Sequence, residues 1–152
     1  MKRLIILFFT LLFIACENKS TDLSEPFDIV SSTPGLTFKS VNSTTIDNYG
    51  DLVFAIEYID GDGDLGSEDA DEKVLFVVDS RDNITSAFHV RPLNPQANTR
   101  KIITGVLEVN LDNVILLNDT IQSEVAQFTI YMYDQSGNKS NEVVSPTITI
   151  NR

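Results

Sequence analysis

Apolar and polar residues alternate along most of the chain after residue 36, and this two-residue period predicts strands rather than helices. The clearest case is the segment 125–134, VAQFTIYMYD, in which four apolar residues share one face. Segments 52–59 and 73–80 are rich in β-branched and aromatic residues, which favours buried strands. Less regular strand patterns cover residues 37–41, 84–90, 101–111 and 145–151. Residues 109–121 fit either an edge strand or a single helical turn.

Turn-forming residues separate these patterns at intervals of roughly ten residues. Six to eight short strands with regular turns predict an all-β fold, a sandwich of about seven strands. The composition agrees, because 42% hydrophobic and 22% charged residues are typical of a folded globular protein.

The closing segment 128–150 sharpens the fold prediction. Its aromatic strand runs into an Asp-x-x-Gly-Asn-x-Ser turn formed by Asp134, Gly137, Asn138 and Ser140, and a β-branched strand follows. This pattern resembles the last hairpin of fibronectin type III and bacterial immunoglobulin-like domains. The resemblance implies an immunoglobulin-like β-sandwich in which 52–59 is strand B, 73–80 strand C, 125–133 strand F and 142–150 strand G. The B–C and F–G loops would then share one end of the sandwich.

The first sixteen residues have the features of an export signal. Lys2 and Arg3 precede an apolar run from Leu4 to Ile14, which is too short to span a bilayer comfortably. The segment 12–16, LFIAC, resembles the lipobox of Bacteroidetes-type lipoproteins. That resemblance implies acylation, for example by palmitate, at Cys16, the only cysteine of the chain. An ordinary secretory signal is the alternative.

Three regions follow from this interpretation. Residues 1–15 are a lipoprotein signal peptide, residues 16–33 are a lipidated cysteine with a flexible tether, and residues 34–152 are the sandwich. The tether is rich in Ser, Thr, Asn, Asp and Pro, as linkers are. We therefore predict a protein that is anchored by lipid to the bacterial outer membrane. The sequence does not decide whether it lies on the periplasmic or on the surface-exposed side of that membrane.

The charge of the chain disfavours nucleic acid as a partner. Acidic residues outnumber basic ones by 22 to 11, for a net charge of −11, whereas nucleic-acid phosphates need a basic surface. The acidic residues are concentrated in one stretch, 58–73, YIDGDGDLGSEDADEK, which follows one predicted strand and precedes another.

Oxygen ligands in this stretch are spaced as in a calcium loop. If Asp60 is position 1, carboxylates stand at positions 1, 3, 5, 9 and 12, and glycines separate the first three. The spacing resembles EF-hand and thrombospondin type 3 loops, although Leu65 occupies the sixth position, where an EF-hand has Gly. The sequence DGDGDLG also resembles a segment of uncharacterised Bacteroidetes immunoglobulin-like lipoproteins. We predict a calcium ion held by residues drawn from Asp60, Asp62, Asp64, Gly66 (through its carbonyl), Glu68 and Asp71.

Two other interpretations of the acidic stretch remain open: a solvated loop that keeps the protein soluble, and a site for another metal. Oxygen ligands favour calcium over zinc or copper.

The sequence favours a binding function over catalysis. His89 is the only histidine, and no phosphate-binding glycine loop or metalloprotease motif occurs. We therefore predict a non-enzymatic envelope binding or adhesion module. Its protein or glycan partner would dock where the B–C and F–G loops meet, with Asp134, Asn138 and Ser140 as binding-loop residues. The alternatives are an accessory subunit of an outer-membrane assembly and a small hydrolase that uses the acidic loop.

Overall fold

Ten strands form in residues 30–94 and 101–152, the parts of the chain that the computed structural model describes. They are β1 (Gly35–Val41), β2 (Thr45–Asp47), β3 (Gly50–Asp60), β4 (Leu75–Asp79), β5 (Thr85–Phe88), β6 (Ile103–Val114), β7 (Ser123–Ala126), β8 (Phe128–Met132), β9 (Val143–Val144) and β10 (Ile148–Asn151). Within the same residues, no helix is long and apolar enough to cross a membrane. The predicted signal peptide, Cys16 and the tether up to residue 29 lie outside the described residues.

Two main antiparallel sheets form the sandwich. One has the strand order β1-β3-β6 and the other has the order β5-β4-β8-β9. A small third sheet has the order β2-β10-β7, in which β10 is parallel to β2 and antiparallel to β7. The all-β sandwich is confirmed. The positions predicted for strands B and C are occupied by β3 and β4, and those predicted for strands F and G by β7–β8 and β9–β10.

The prediction of about seven strands was too low, mainly because two predicted strands are interrupted. The segment 125–134 divides at Gln127, whose N–H donates to the hydroxyl of Ser80 at 2.9 Å instead of to a neighbouring strand. The last strand divides around Ser145, whose hydroxyl accepts the N–H of Phe128 at 2.9 Å. The short strand β2 was not predicted. For residues 109–121 the edge-strand interpretation holds as far as Val114, where β6 ends.

The core lies between the two main sheets and follows the two-residue period of the strands. Leu52, Phe54 and Ile56 point inward from β3, and alternate residues of β8 do so opposite them. The rings of Phe54 and Phe128 meet across the sandwich with centroids 5.5 Å apart. All the buried apolar residues of the described chain lie between Leu36 and Ile150, so residues 30–152 contain this core.

Candidate metal centre

Two aspartates occupy inward-facing positions where core strands end at the same end of the sandwich. Asp60 continues the inward phase of β3 and has no exposed surface (0%), and Asp134 continues the phase of β8 and is 4% exposed. Strand alternation thus carries two carboxylates into positions that apolar side chains occupy elsewhere along the same strands.

The chain after Asp60 folds back around that side chain. Asp60 Oδ2 accepts hydrogen bonds from the N–H of Gly63 at 2.8 Å and of Asp64 at 3.0 Å. Gly63 has a φ of +74°, and a Cβ there would lie 2.4 Å from the carbonyl oxygen of Lys101. Gly66 has a φ of +88°, and a Cβ there would lie 2.3 Å from the carbonyl oxygen of Arg91. Only glycine fits both positions without strain, so these glycines set the shape of the acidic loop.

The B–C and F–G loops meet, as the strand order predicts. Leu65 forms an isolated antiparallel bridge with Asp134. The N–H of Gln135 donates to the carbonyl oxygen of Asp64 at 3.2 Å, and the hydroxyl of Ser136 donates to Asp64 Oδ2 at 2.7 Å. The Gln135 side chain also donates to the carbonyl oxygen of Gly66 at 2.9 Å, so that oxygen already has a protein partner.

Three carboxylates from these two loops converge. Asp60, Asp64 and Asp134 each offer an oxygen, and these oxygens lie within 4.8 Å of one another. Asp62 is close enough for its charge to act on both Asp60 and Asp64. This acidic group can hold a metal ion.

The hydrogen bonding of the individual carboxylate oxygens also supports a metal site. Asp60 Oδ1, Asp62 Oδ1 and Asp64 Oδ1 are each buried, and none has a hydrogen-bond partner. A buried carboxylate oxygen without a partner is costly and rare in folded proteins. A cation bound by Asp60 and Asp64 would offset the charge that these buried oxygens carry without a partner.

Three predicted acidic ligands do not belong to the converging set: Asp62, which lies beside it, and Glu68 and Asp71. Glu68 and Asp71 are exposed on the far part of the loop. That part of the loop is held internally, since the Ser67 hydroxyl donates to Glu72 Oε2 at 2.5 Å and the N–H of Asp71 donates to Asp69 Oδ1 at 2.9 Å.

The predicted binding-loop residues are engaged within the protein. Asn138 donates to Asp134 through its backbone N–H at 2.7 Å and through its side chain at 2.8 Å. Ser140 is buried, and its hydroxyl accepts the N–H of Met132 at 3.0 Å. These contacts shape the F–G turn and orient the Asp134 carboxylate.

Sequence reasoning placed Asp134 in the F–G turn but missed it as a member of the acidic group. Its signal is the strand phase: Asp134 follows Phe128, Ile130 and Met132 in the same alternation that leads from β3 to Asp60. Once the strand order is known, two strands that end at the same tip with inward-facing aspartates predict that these aspartates lie close together.

The surroundings raise the pKa of two of these carboxyl groups. Burial raises the pKa of Asp60, and the charges of Asp62 and Asp64 add to the effect, while the N–H groups of Asp64 and Gly63 oppose it. Burial also raises the pKa of Asp64, together with the charges of Asp134 and Asp62, while the hydrogen bonds from Ser136 oppose the rise. Folding therefore disfavours the ionised forms of Asp60 and Asp64 relative to the unfolded chain.

These shifts predict how the stability of the metal-free protein depends on pH. Because the folded state binds protons on Asp60 and Asp64 more tightly than the unfolded chain does, stability should fall as pH rises above their ordinary pKa of 3.8. We expect a higher melting temperature at about pH 5 than at about pH 7.5 in EDTA, and a smaller or reversed difference in calcium. Thermal unfolding followed by circular dichroism measures both.

The control for this pH comparison is Asp60→Asn, which removes one of the titrating groups and should reduce the pH dependence in EDTA. The titration of Glu124 does not affect the comparison of melting temperatures between pH 5 and pH 7.5. Hydrogen bonds from the N–H groups of Leu117 and Asn118, together with Arg81, lower its pKa, so its contribution to stability is lost only below its ordinary value of 4.5. A metal-free protein that becomes more stable between pH 5 and pH 7.5 would contradict the expectation.

Comparison of the chain with protein-family models, with curated proteins and with solved structures found no match.

Proposed function

We propose that this protein is a lipid-anchored, calcium-stabilised binding module of the bacterial outer membrane, and that it acts by binding rather than by catalysis. The observation that carries the calcium assignment is the set of three buried, unpartnered oxygens on Asp60, Asp62 and Asp64. The donors are all oxygens from aspartates, the ligand type that suits a hard cation. Calcium accepts six to eight oxygens in irregular arrangements, whereas magnesium demands near-octahedral geometry.

The ion would join the two loops at the tip of the sandwich. Asp60, Asp62 and Asp64 would bind it from the B–C loop and Asp134 from the F–G loop. Its charge would offset the repulsion among these four carboxylates, which otherwise opposes the contact between the loops. Calcium outside the cytosol is abundant, so an affinity on the order of 0.1–1 mM is sufficient for occupancy.

The direction from which the chain enters the sandwich supports a membrane-proximal metal end. The N–H of Gly61 donates to the carbonyl oxygen of Ser31 at 2.9 Å, so residues 30 and 31 lie beside the acidic loop. The tether that the sequence predicts after Cys16 would have a typical reach of roughly 20 Å over residues 17–29. With such a tether the metal end would face the membrane and the long sides of the sandwich would be free for partners.

Calorimetric titration of calcium into a soluble chain that begins at Glu17 tests the metal assignment. We expect one site per chain, and we expect Asp62→Asn with Asp64→Asn to abolish it. The matched control is Glu68→Gln with Asp71→Asn, which removes the same amount of charge from exposed positions of the same loop and should retain binding. Equal losses in both double variants, or no heat of binding in the unchanged protein, would refute the site.

A further inference from the structure

The two sides of the sandwich are closed differently. On one side, the Asn141 side chain bridges the gap to β1: its Oδ1 accepts the N–H of Leu36 at 2.7 Å and its Nδ2 donates to the Leu36 carbonyl oxygen at 2.9 Å. On the opposite side, β6 pairs only with β3 and β5 pairs only with β4 within the described residues. β6 spans Ile103–Val114, so the edge that no described strand pairs with is long.

An apolar groove runs along this open side between the two sheets. A cavity of about 400 Å³ lies between the middle of β6 and the segment that follows β5, with Leu107, Val109, Phe88, Val90 and Leu93 among its lining residues. A second cavity of about 260 Å³ continues along the second half of β6, where Leu111 and Ile84 line it. The groove runs beside the edge of β6 that no described strand pairs with.

The charges beside the groove are mainly acidic. Glu108 and Asp112 point outward from β6, are exposed and have no ion-pair partner among the described residues, and β6 carries no Lys or Arg. Of the two arginines that line the groove, Arg81 is bound by Asp79 and Glu124, and Arg91 lies at one end.

We propose that the open edge of β6 is a docking site for an extended segment of a partner protein in which apolar and basic residues alternate. The main chain of that segment would pair with β6, as in other cases of strand addition. Its apolar side chains would enter the groove, and its basic side chains would lie on the outer face beside Glu108 and Asp112. Opposite charges across neighbouring strands stabilise such pairing.

A second copy of this chain fits the edge poorly. Antiparallel pairing of β6 with itself about Asn110 would place Glu108 opposite Asp112 of the other copy on both sides of the centre. Like charges directly opposite each other destabilise a strand pair, and acidic residues on an edge strand are a common protection against self-association. A basic segment removes this conflict.

The inference names the binding surface of the proposed module, so it rests on the binding part of that function and not on calcium. A fluorescent ten-residue peptide of alternating lysine and valine, titrated into the soluble chain from Glu17, is the probe. We expect saturable binding by fluorescence anisotropy and at least a tenfold slowing of amide hydrogen exchange in residues 104–112. The corresponding glutamate–valine peptide should bind about tenfold more weakly.

Charge reversal gives the sharpest test. Glu108→Lys with Asp112→Lys should weaken binding of the lysine peptide about tenfold and strengthen binding of the glutamate peptide. The control, Asp71→Lys with Asp119→Lys, makes the same change in net charge at exposed positions away from the groove and should leave both affinities within about twofold. Circular dichroism of each variant verifies folding, and the exchange experiment on the unchanged protein needs no variant.

Several outcomes would overturn the docking site: no binding of the lysine peptide, equal effects of the two double variants, or protection that maps away from β6. A dimer in sedimentation analysis that Glu108→Lys with Asp112→Lys alters would instead assign the edge to a second copy. Repeating the titration in calcium and in EDTA separates this inference from the metal site, because each can fail while the other holds.

Discussion

Calcium at 10 mM should raise the melting temperature of this protein by about 5–10 °C over its value in EDTA. With a dissociation constant of about 0.1–1 mM, this concentration is roughly a ten- to hundredfold excess and stabilises the folded state by about 1.4–2.7 kcal/mol. A domain of this size gains roughly 3–5 °C per kcal/mol. The physical source of the effect is the group of Asp60, Asp62, Asp64 and Asp134, whose mutual repulsion and unpartnered oxygens a bound cation would relieve. Differential scanning calorimetry in 10 mM calcium and in EDTA measures the shift.

Asp60→Asn should change the melting temperature in opposite directions in EDTA and in calcium. The amide oxygen can still accept the N–H groups of Gly63 and Asp64, so the turn is kept while one buried charge is removed. In EDTA the variant should melt at or above the temperature of the unchanged protein, and in calcium it should melt below it. A variant that is less stable in both conditions by the same amount would show that Asp60 has a purely structural role.

Arg81→Ala should cost roughly 3–5 kcal/mol of the free energy of unfolding, the range for breaking a buried ion pair. The guanidinium contacts Asp79 at 2.7 Å, Glu124 at 2.8 Å and the carbonyl oxygen of Ile115 at 2.8 Å. The side chain of Arg81 is only 10% exposed, that of Asp79 is 17% exposed and that of Glu124 is 11% exposed. Burial alone would lower the pKa of Arg81, but its bonds to Asp79 and Glu124 outweigh burial and raise it. Removing the arginine leaves two carboxylates buried without their partner.

Urea denaturation of Arg81→Ala measures this loss, and Lys39→Ala provides the comparison. Lys39 forms an ion pair with Glu57 at 3.1 Å, but the two side chains are 49% and 50% exposed. A pair in that setting contributes about 1 kcal/mol or less. If the two variants lost the same amount of stability, burial would not be what makes the Arg81 contacts important.

Local patterns in the chain predicted most of the fold. The two-residue alternation in segments such as 52–59 and 125–134 located the core strands, since alternation is a property of neighbouring residues along the chain. The interruptions at Gln127 and Ser145 were not predicted, because they depend on hydrogen bonds to residues that are distant in the sequence. Strand β2 was missed for a similar reason, since its three residues are held by pairing with β10.

For the metal centre too, local sequence predicted one part and long-range packing decided the other. The spacing of Asp60, Asp62 and Asp64 between glycines is visible in a few consecutive residues, so the sequence alone predicted these three as ligands. Glu68 and Asp71 have suitable spacing for an EF-hand loop, but this loop turns back after Gly66 against Arg91 and leaves both side chains in solvent. Spacing along the chain fixes which ligands are available and not which of them converge.

The sequence by itself determined the strand pattern, the acidic character of the chain and the position of the aspartates at the end of strand B, because each of these depends only on neighbouring residues. The tertiary structure decided that Asp134 joins Asp60 and Asp64 and that Asn138 and Ser140 are engaged internally. It also decided that one edge of β6 has no strand partner among the residues that the structure describes. These features depend on the side-by-side arrangement of strands that are far apart in the chain, and long-range packing between sheets sets that arrangement.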